Sequence, residues 1–342
     1  MFTYDFGKNK CKRGAILDKK IDAKNKIQYL TKMWEIRIFE ESIQQLFEAG
    51  DLYGTMHLCI GQEATAVGGA GILKPTDWIV STHRNHGHCI AKGTNIRSML
   101  AEMLGKKTGT NEGKGGSMHI ADLNVGNLGS NGIVGAGFPI AAGAALTAQM
   151  EGTDQVVLCY AGDGATNEGS FHEALNLASI WQLPVVYLIE NNQYGMSSSI
   201  DKMVNIQRLS ERGTSYGIEG VTIDGNDLDE VIMTVSQAVS KARNGGGPTL
   251  IEALTYRYHG HSKSDKLLYR STDECYYWQE HKDPIARVER QLIENNLMTE
   301  KEIRQLENKI REEMASMISS VKLDAEPSEK DLWTHVYVED SL

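Results

Sequence analysis

Two short motifs offer metal-binding chemistry. Gly162-Asp163-Gly164 follows the apolar run 156–160, and Glu190-Asn191-Asn192 follows the apolar run 184–189. A hard divalent cation bound to a diphosphate takes oxygen ligands in an octahedron: a carboxylate, an amide or backbone carbonyl, phosphate oxygens and water. Asp163 can supply the carboxylate and Asn192 the amide oxygen, with the backbone carbonyl assigned to Tyr194 in the turn that follows. Gly164 and the helix expected after it offer N–H groups and a positive dipole end to phosphate oxygens. A calcium loop beginning at Asp163 is the competing reading, but Ala165 stands where the third-position oxygen ligand is needed. A lone Gly-Asp-Gly is ordinarily a turn, so its pairing with Asn192 at a second strand end carries the argument.

Those motifs need neighbouring parallel strands to bring them together. The clearest strands are 156–160, 184–189 and 249–258. Between the first two lies a helix with Ala174, Leu177, Ala178 and Trp181 on one face. From Trp78 onward short β-rich runs alternate with helical stretches, which predicts an α/β fold with a parallel sheet flanked by helices. Ligands in such sheets sit at the carboxyl ends of the strands. Residues 27–49 show helical spacing at Met33, Ile36, Ile43, Leu46 and Phe47. From Lys282 the chain reads as mostly helical, with Thr299 and Glu302 forming a capping box. The stretch 107–143 is rich in glycine and predicts a loop that lets backbone approach a ligand, followed by a small-residue helix over 140–149. Three segments result: 1–50 helical, 51–280 α/β and ligand-binding, 281–342 helical.

Composition narrows the classes. The 342 residues are 41% hydrophobic and carry a net charge of −10, without a basic stripe, which argues against nucleic acid and anionic membranes as partners. Five scattered cysteines (Cys11, Cys59, Cys89, Cys159, Cys275) make neither a disulfide framework nor a zinc motif. No stretch approaches the ~20 apolar residues of a membrane span. The start of the chain is polar, so a cytoplasmic protein is expected. Neither G-x-x-x-x-G-K-[ST] nor a strand-linked G-x-G-x-x-G occurs, and Gly-x-Ser-x-Gly is absent.

Six stretches, in order, carry a resemblance that spans nearly the whole chain. They are Thr82-His83-Arg84-Asn85-His86-Gly87-His88, Gly113-Lys114-Gly115-Gly116-Ser117-Met118-His119, Asn131-Gly132-Ile133-Val134-Gly135, Gly162-Asp163-Gly164-Ala165, Glu190-Asn191-Asn192-Gln193-Tyr194-Gly195-Met196 and Tyr256-Arg257-Tyr258-His259-Gly260-His261-Ser262. The sequence resembles the α subunits of the first component of 2-oxo acid and acetoin dehydrogenase complexes, which have a thiamine-diphosphate-binding fold. The resemblance implies thiamine diphosphate and Mg²⁺ as cofactors, with Asp163, Asn192 and the Tyr194 carbonyl on the metal. It places Arg84 on a diphosphate oxygen, where a guanidinium fork fits. Backbone groups of Gly132 and Val134 would meet the aminopyrimidine, and those of Gly164 and Ala165 the diphosphate. His261 is the first choice for moving protons, with His57 and His83 lining the same pocket. His86, His88, His119 and His259 stay unassigned. The stretch 258–269 reads as a lid loop, phosphorylated at the position of Ser262 in kinase-regulated relatives.

The resemblance also implies a β subunit that supplies the pyrimidine-activating carboxylate in an α₂β₂ assembly, and a lipoyl-bearing acyltransferase that receives the acyl group. Acetoin and pyruvate are the rival substrates. His83 and Gly126-Asn127-Leu128-Gly129 look more like the acetoin type, and Lys263-Ser264-Asp265-Lys266 departs from the pattern with proline after aspartate. A split-subunit transketolase or carboligase is the alternative activity.

Overall fold

The computed structural model describes residues 23–262 and 264–336. Cys11, the polar stretch 1–20, Lys263 and residues 337–342 therefore lie outside the described residues. The first described element is α1 (Ala23–Glu48), which contains neither glycine nor proline. Its residues Leu30, Met33, Ile36, Phe39, Ile43 and Leu46, three or four apart, form one buried stripe. Glu40 is also fully buried, and its carboxylate accepts from the Cys59 N–H at 2.8 Å.

After α2 (Glu63–Ala70) come β1 (Trp78–Ser81), α3 (His86–Lys92), α4 (Ile96–Met103), β2 (Asn127–Ser130) and α5 (Gly137–Met150). Then follow β3 (Val157–Gly162), α6 (Gly169–Ile180), β4 (Val185–Asn191), a small hairpin of β5 (Tyr194–Gly195) and β6 (Ser198–Ser199), and α7 (Ile200–Met203). The α/β part closes with β7 (Glu219–Asp224), α8 (Leu228–Arg243) and β8 (Thr249–Leu254). Six strands make one parallel sheet in the order β2-β1-β3-β4-β8-β7. All seven residues of β4 and all six of β8 are buried, as expected where helices cover both faces. Phe138, Ala141 and Ala145 of α5 and Phe171, Ala174 and Leu175 of α6 cover one face. Ala70 of α2 and Val231, Val235 and Ala238 of α8 cover the other.

The C-terminal part is α9 (Thr272–Lys282), α10 (Pro284–Glu294) and α11 (Glu300–Val321). Ile285, Val288 and Leu292 of α10 and Ile303, Ile310 and Met314 of α11 join the α1 stripe in one core. The capping box is present: Thr299 Oγ1 accepts from the Glu302 N–H at 3.3 Å, and Glu302 Oε2 from the Thr299 N–H at 2.7 Å.

Four expectations need correction. The strand over 249–258 ends at Leu254, because Tyr256 and Tyr258 leave the sheet to join Trp278 in an aromatic cluster. On α6 the buried face is Phe171, Ala174, Leu175 and Ala178, while Leu177 and Trp181 are exposed. Apolar residues there span more of the helix circumference than the sheet covers. The helix expected directly after Gly164 is first a short 3₁₀ turn, Gly164–Asn167, and α6 begins at Gly169. Finally, the glycine-rich stretch contains the edge strand β2, whose Asn-Leu-Gly-Ser sequence has little strand propensity of its own and is ordered by pairing with β1.

That stretch is fastened by one buried carboxylate. Glu102, 1% exposed, accepts from the N–H groups of Asn111, Gly113, Gly115 and Gly116 at 2.7–3.0 Å. Next to it Ser117 meets His86 Nε2 at 3.0 Å, and His86 Nδ1 meets Glu40 at 2.8 Å, which ties the loop to α1.

Because α10 joins the two ends of the chain in one core, Leu292→Ala should lower unfolding stability by about 2–5 kcal/mol. Thr299→Ala should cost about 1 kcal/mol. Chemical denaturation of the two variants checks this ordering, and equal effects would contradict it.

Candidate functional site

The site lies at the carboxyl ends of β1, β3, β4 and β8. In the β3–β4 register Gly162 stands opposite Glu190, which puts Asp163 and Asn192 at adjacent strand exits. Asp163 starts the 3₁₀ turn, and its carbonyl accepts from the Thr166 N–H at 3.1 Å and the Thr166 hydroxyl at 2.8 Å. The carboxyl is nearly fully buried, and Oδ2 has no hydrogen-bond partner among the described residues. Burial pushes this group up to about 6, against the opposing pull of the Gly164 and Asp163 N–H groups and of Arg257. Asn192 donates from Nδ2 to Gln62 Oε1 at 3.2 Å, and its buried Oδ1 is likewise without a partner. A carboxylate oxygen and an amide oxygen, both starved of donors, suit a hard cation.

Close backbone approach is built in nearby. Gly135 has φ +84°, and a Cβ there would lie 2.8 Å from both Glu168 Cβ and Ser170 Oγ at the start of α6. Across the cleft, a Cβ on Gly164 would touch Gly195 Cα at 3.4 Å.

The opposite wall is cationic. Arg84, in the loop after β1, donates to the carbonyls of Leu58 and His261, the second at 3.1 Å. Arg257, after β8, donates to the carbonyls of His259, Tyr194 and Met196 and to the Tyr269 hydroxyl. Both are buried, and every one of these acceptors is neutral. Burial, and then the neighbouring Arg257, lower Arg84 to about 10, so it stays charged at neutral pH. Buried cations without a carboxylate partner are costly, which makes this half of the cleft fit an anion.

Three imidazoles complete the wall. Ring centroids are 4.6 Å apart for His57 and His83, 5.0 Å for His57 and His261, and 5.5 Å for His83 and His261. Burial, followed by the charge of Arg84, depresses all three: His57 to about 3, His83 to about 2 and His261 to about 4. At neutral pH they are uncharged and able to accept protons.

A cavity of about 390 Å³ gathers His83, Arg84, Val134, Asp163, Gly164, Ala165, Asn192, Tyr194 and His261 in one lining. His57 stands behind His83 and His261 rather than in the lining, and Gly132 lies outside it, two residues from Val134. Sequence reasoning gave no role to Arg257, Glu190 or Gln62. Arg257 had a signal, a cation between two tyrosines in the run leading to His261. Glu190 had a weaker one, at the end of an apolar strand. It accepts from the Thr65 hydroxyl and meets His88 Nε2 at 3.2 Å. Nothing marked Gln62, whose importance comes only from contact with Asn192.

The protein is thus a parallel α/β sheet with a cleft at its strand ends, donor-starved oxygens on one wall and carboxylate-free guanidiniums on the other. Residues 31–330 match the model of the dehydrogenase E1 component family. Over 307 residues the chain is 45% identical to the α subunit of acetoin:2,6-dichlorophenolindophenol oxidoreductase from Bacillus subtilis, covering 90% of this chain and 92% of that one. It is 40% identical over 318 residues to the protein of the same name from Cupriavidus necator, covering 93% and 96%. It is also 40% identical over 305 residues to the pyruvate dehydrogenase E1 component subunit alpha of Rhizobium meliloti, covering 89% and 88%. The chain belongs to the dehydrogenase E1 component family, whose members are thiamine-diphosphate-dependent oxidoreductases.

The depressed histidines make stability depend on pH with a definite sign. Their folded values lie below the ordinary value of 6.5, so between about 6.5 and 4 the unfolded chain binds more protons and stability falls as pH falls. The melting temperature should therefore be lower at about pH 5 than at pH 7, and replacing His57 and His83 by Asn should flatten that slope. An unchanged slope in the double variant would count against neutral imidazoles.

Proposed function

We propose that this chain is the cofactor-binding α subunit of a first-component dehydrogenase acting on acetoin, with pyruvate as the nearest rival substrate. The observation that carries the reading is the two-sided cleft: donor-starved Asp163 Oδ2 and Asn192 Oδ1 facing the buried, carboxylate-free Arg84 and Arg257. A diphosphate carrying Mg²⁺ satisfies both walls at once. In this reading Asp163, Asn192 and the Tyr194 carbonyl hold the metal, while Arg84 and the backbone of Gly164 and Ala165 hold the diphosphate. Val134, with Gly132 beside it, receives the aminopyrimidine. Residues 51–280 are then the binding domain, braced by the helical ends.

When bound, thiamine diphosphate supplies an electron sink for breaking a carbon–carbon bond beside a carbonyl. The chain's own work is with protons and position. His261 presents a neutral imidazole to the cavity, in the form needed to take a hydroxyl proton as the bond breaks. Its Nδ1 faces Arg257 at 3.3 Å, which fixes the ring. His83 shares the lining and His57 backs it, so the three exclude water from the reacting carbon.

Acetoin is favoured by the 45% identity to a subunit named for it, against 40% for the pyruvate-named relative, and by His83 in the lining. Each of these relatives is named as an α subunit, which supports a β subunit that completes the site with the pyrimidine-activating carboxylate in an α₂β₂ assembly. A lipoyl-bearing acyltransferase then takes the acyl group. Among the described residues no helix is long and apolar enough to cross a membrane.

The test is to purify the chain with its candidate β subunit, add thiamine diphosphate and Mg²⁺, and follow reduction of an artificial electron acceptor by acetoin, pyruvate and branched 2-oxo acids. Acetoin should be the best substrate, and the α chain alone should show no turnover. Full activity from the α chain alone would sink the partner requirement. Asp163→Asn should lower turnover by more than about 100-fold. It should leave the cofactor-free chain as stable as before or more so, because it removes an unpaired buried carboxyl. A variant that loses stability along with activity would point to a structural role instead.

A further inference from the structure

We propose that His57, His83 and His261 form a second metal site, one that takes a borderline transition ion such as Zn²⁺, with an exogenous anion as fourth ligand. One ligand nitrogen from each ring lies within 4.8 Å of the other two. Around a tetrahedral ion with Zn–N near 2.0–2.1 Å, nitrogens sit about 3.4 Å apart, so the rings need to close by roughly 1.4 Å or less. Such a shift is small for His57 and His83, which are lightly held and can move toward the His261 ring. Among the described residues neither His57 nor His83 makes a side-chain hydrogen bond, and His57 Nδ1 is buried and unpartnered although the residue is only 6% exposed. His261 uses Nδ1 toward Arg257, leaving Nε2 as its remaining ligand atom. Three imidazoles and no carboxylate select for Zn²⁺, Cu²⁺, Ni²⁺ or Co²⁺ and against Mg²⁺ or Ca²⁺, which want oxygen. The site thus differs in chemistry from the oxygen pair at Asp163 and Asn192.

Electrostatics decides which form binds. Arg84 and Arg257 repel a bare dication, but burial and, after it, these charges keep the imidazoles unprotonated, as ligands must be. A zinc ion carrying hydroxide, chloride or a carboxylate presents less charge and places its anion near the guanidiniums. His83 and His261 line the cavity, so the open coordination position faces the space where substrate must enter. Occupancy therefore blocks turnover, and this last step rests on the proposed function whereas metal binding itself does not.

The probe is Co²⁺, which reports tetrahedral nitrogen coordination through its visible absorption. Titration of the full chain, without thiamine diphosphate, should give one equivalent of an intense tetrahedral band that Zn²⁺ displaces. His83→Asn and His261→Asn should each weaken binding by at least about 10-fold, as should His57→Asn. Asp163→Asn should leave it unchanged. Circular dichroism shows which variants are folded, and the half-buried His83 and His261 carry the test if the His57 variant is not. Absence of the band, or a band that survives loss of two histidines, overturns the site. Binding lost in Asp163→Asn but kept in the histidine variants also overturns it and moves the ion to the oxygen pair. With the β subunit present, Zn²⁺ should inhibit acceptor reduction and a chelator should restore it. A normal Co²⁺ spectrum without such inhibition leaves the metal site standing and removes only the regulatory step.

Discussion

The parallel register of β3 against β4 is the constraint on which the site depends. With Gly162 opposite Glu190, the chain leaves two adjacent strands at the same level, and the next residues that can turn into the cleft are Asp163 and Asn192. A slip of one residue would turn the side chains of either strand to the other face. The side chains that leave the two strand ends would then no longer turn into the same cleft, and the oxygen pair would be broken. The register is secured by burial rather than by any feature of the site. Leu158, Val186 and Leu188 face one helical layer, while Cys159, Val185 and Tyr187 face the other.

The same logic explains why so many polar groups in the cleft are left uncompensated. Among the described residues Asp163 Oδ2, Asn192 Oδ1 and His57 Nδ1 lack partners, and two guanidiniums have only neutral acceptors. A chain optimised for stability alone would pair Arg84 or Arg257 with a carboxylate, as Arg37 is paired with Glu63 and Asp283 and as Arg243 is paired with Asp77. The molecule neutralises these partly buried arginines and leaves the more deeply buried Arg84 and Arg257 without a carboxylate. Single buried atoms elsewhere, such as Tyr187 Oη and Gln291 Oε1, also lack partners among the described residues. In the cleft, however, donor-starved oxygens and carboxylate-free guanidiniums line one cavity, and opposite unmet demands brought together mark a binding site without its ligand.

Legibility in the sequence followed the range of the interactions. Strands such as β3 and β4 could be read because they are continuous apolar runs, and α11 because its capping box and spacing are local. The Asp163–Asn192 pair could be read because strand exits in parallel sheets are equivalent positions. Strand β2 could not, since Asn127–Ser130 is extended only because β1 pairs with it. Nor could the end of β8, where Tyr256 and Tyr258 read as strand residues but stack with Trp278. The buried face of α6 was misread because apolar residues exceed what the sheet covers. Gln62 and the fastening of the glycine-rich loop by Glu102 were invisible for one reason: each acts through a partner distant in sequence or through backbone N–H groups that carry no side-chain signature.

The helical ends then take on a clear role. Residues of α1, α10 and α11 share one core that also contains Cys59, Ala64, Ala66 and Cys89, which flank His57, Glu63 and His86. Glu63 in α2 binds Arg37 of α1 and accepts from the Gly61 N–H, so α1 positions the segment that bears His57 and Gln62. Glu40 of α1 does the same for Cys59 and for His86, whose other nitrogen meets Ser117. One helix thus sets the loop behind the histidines and the glycine-rich loop through two buried carboxylates. Charged side chains inside a helix core are expensive, and here each spans a gap between α1 and a loop that hydrophobic contact could fill but not aim. Aim is what the cleft requires, because a ligand nitrogen or a backbone N–H displaced by an ångström no longer meets its target.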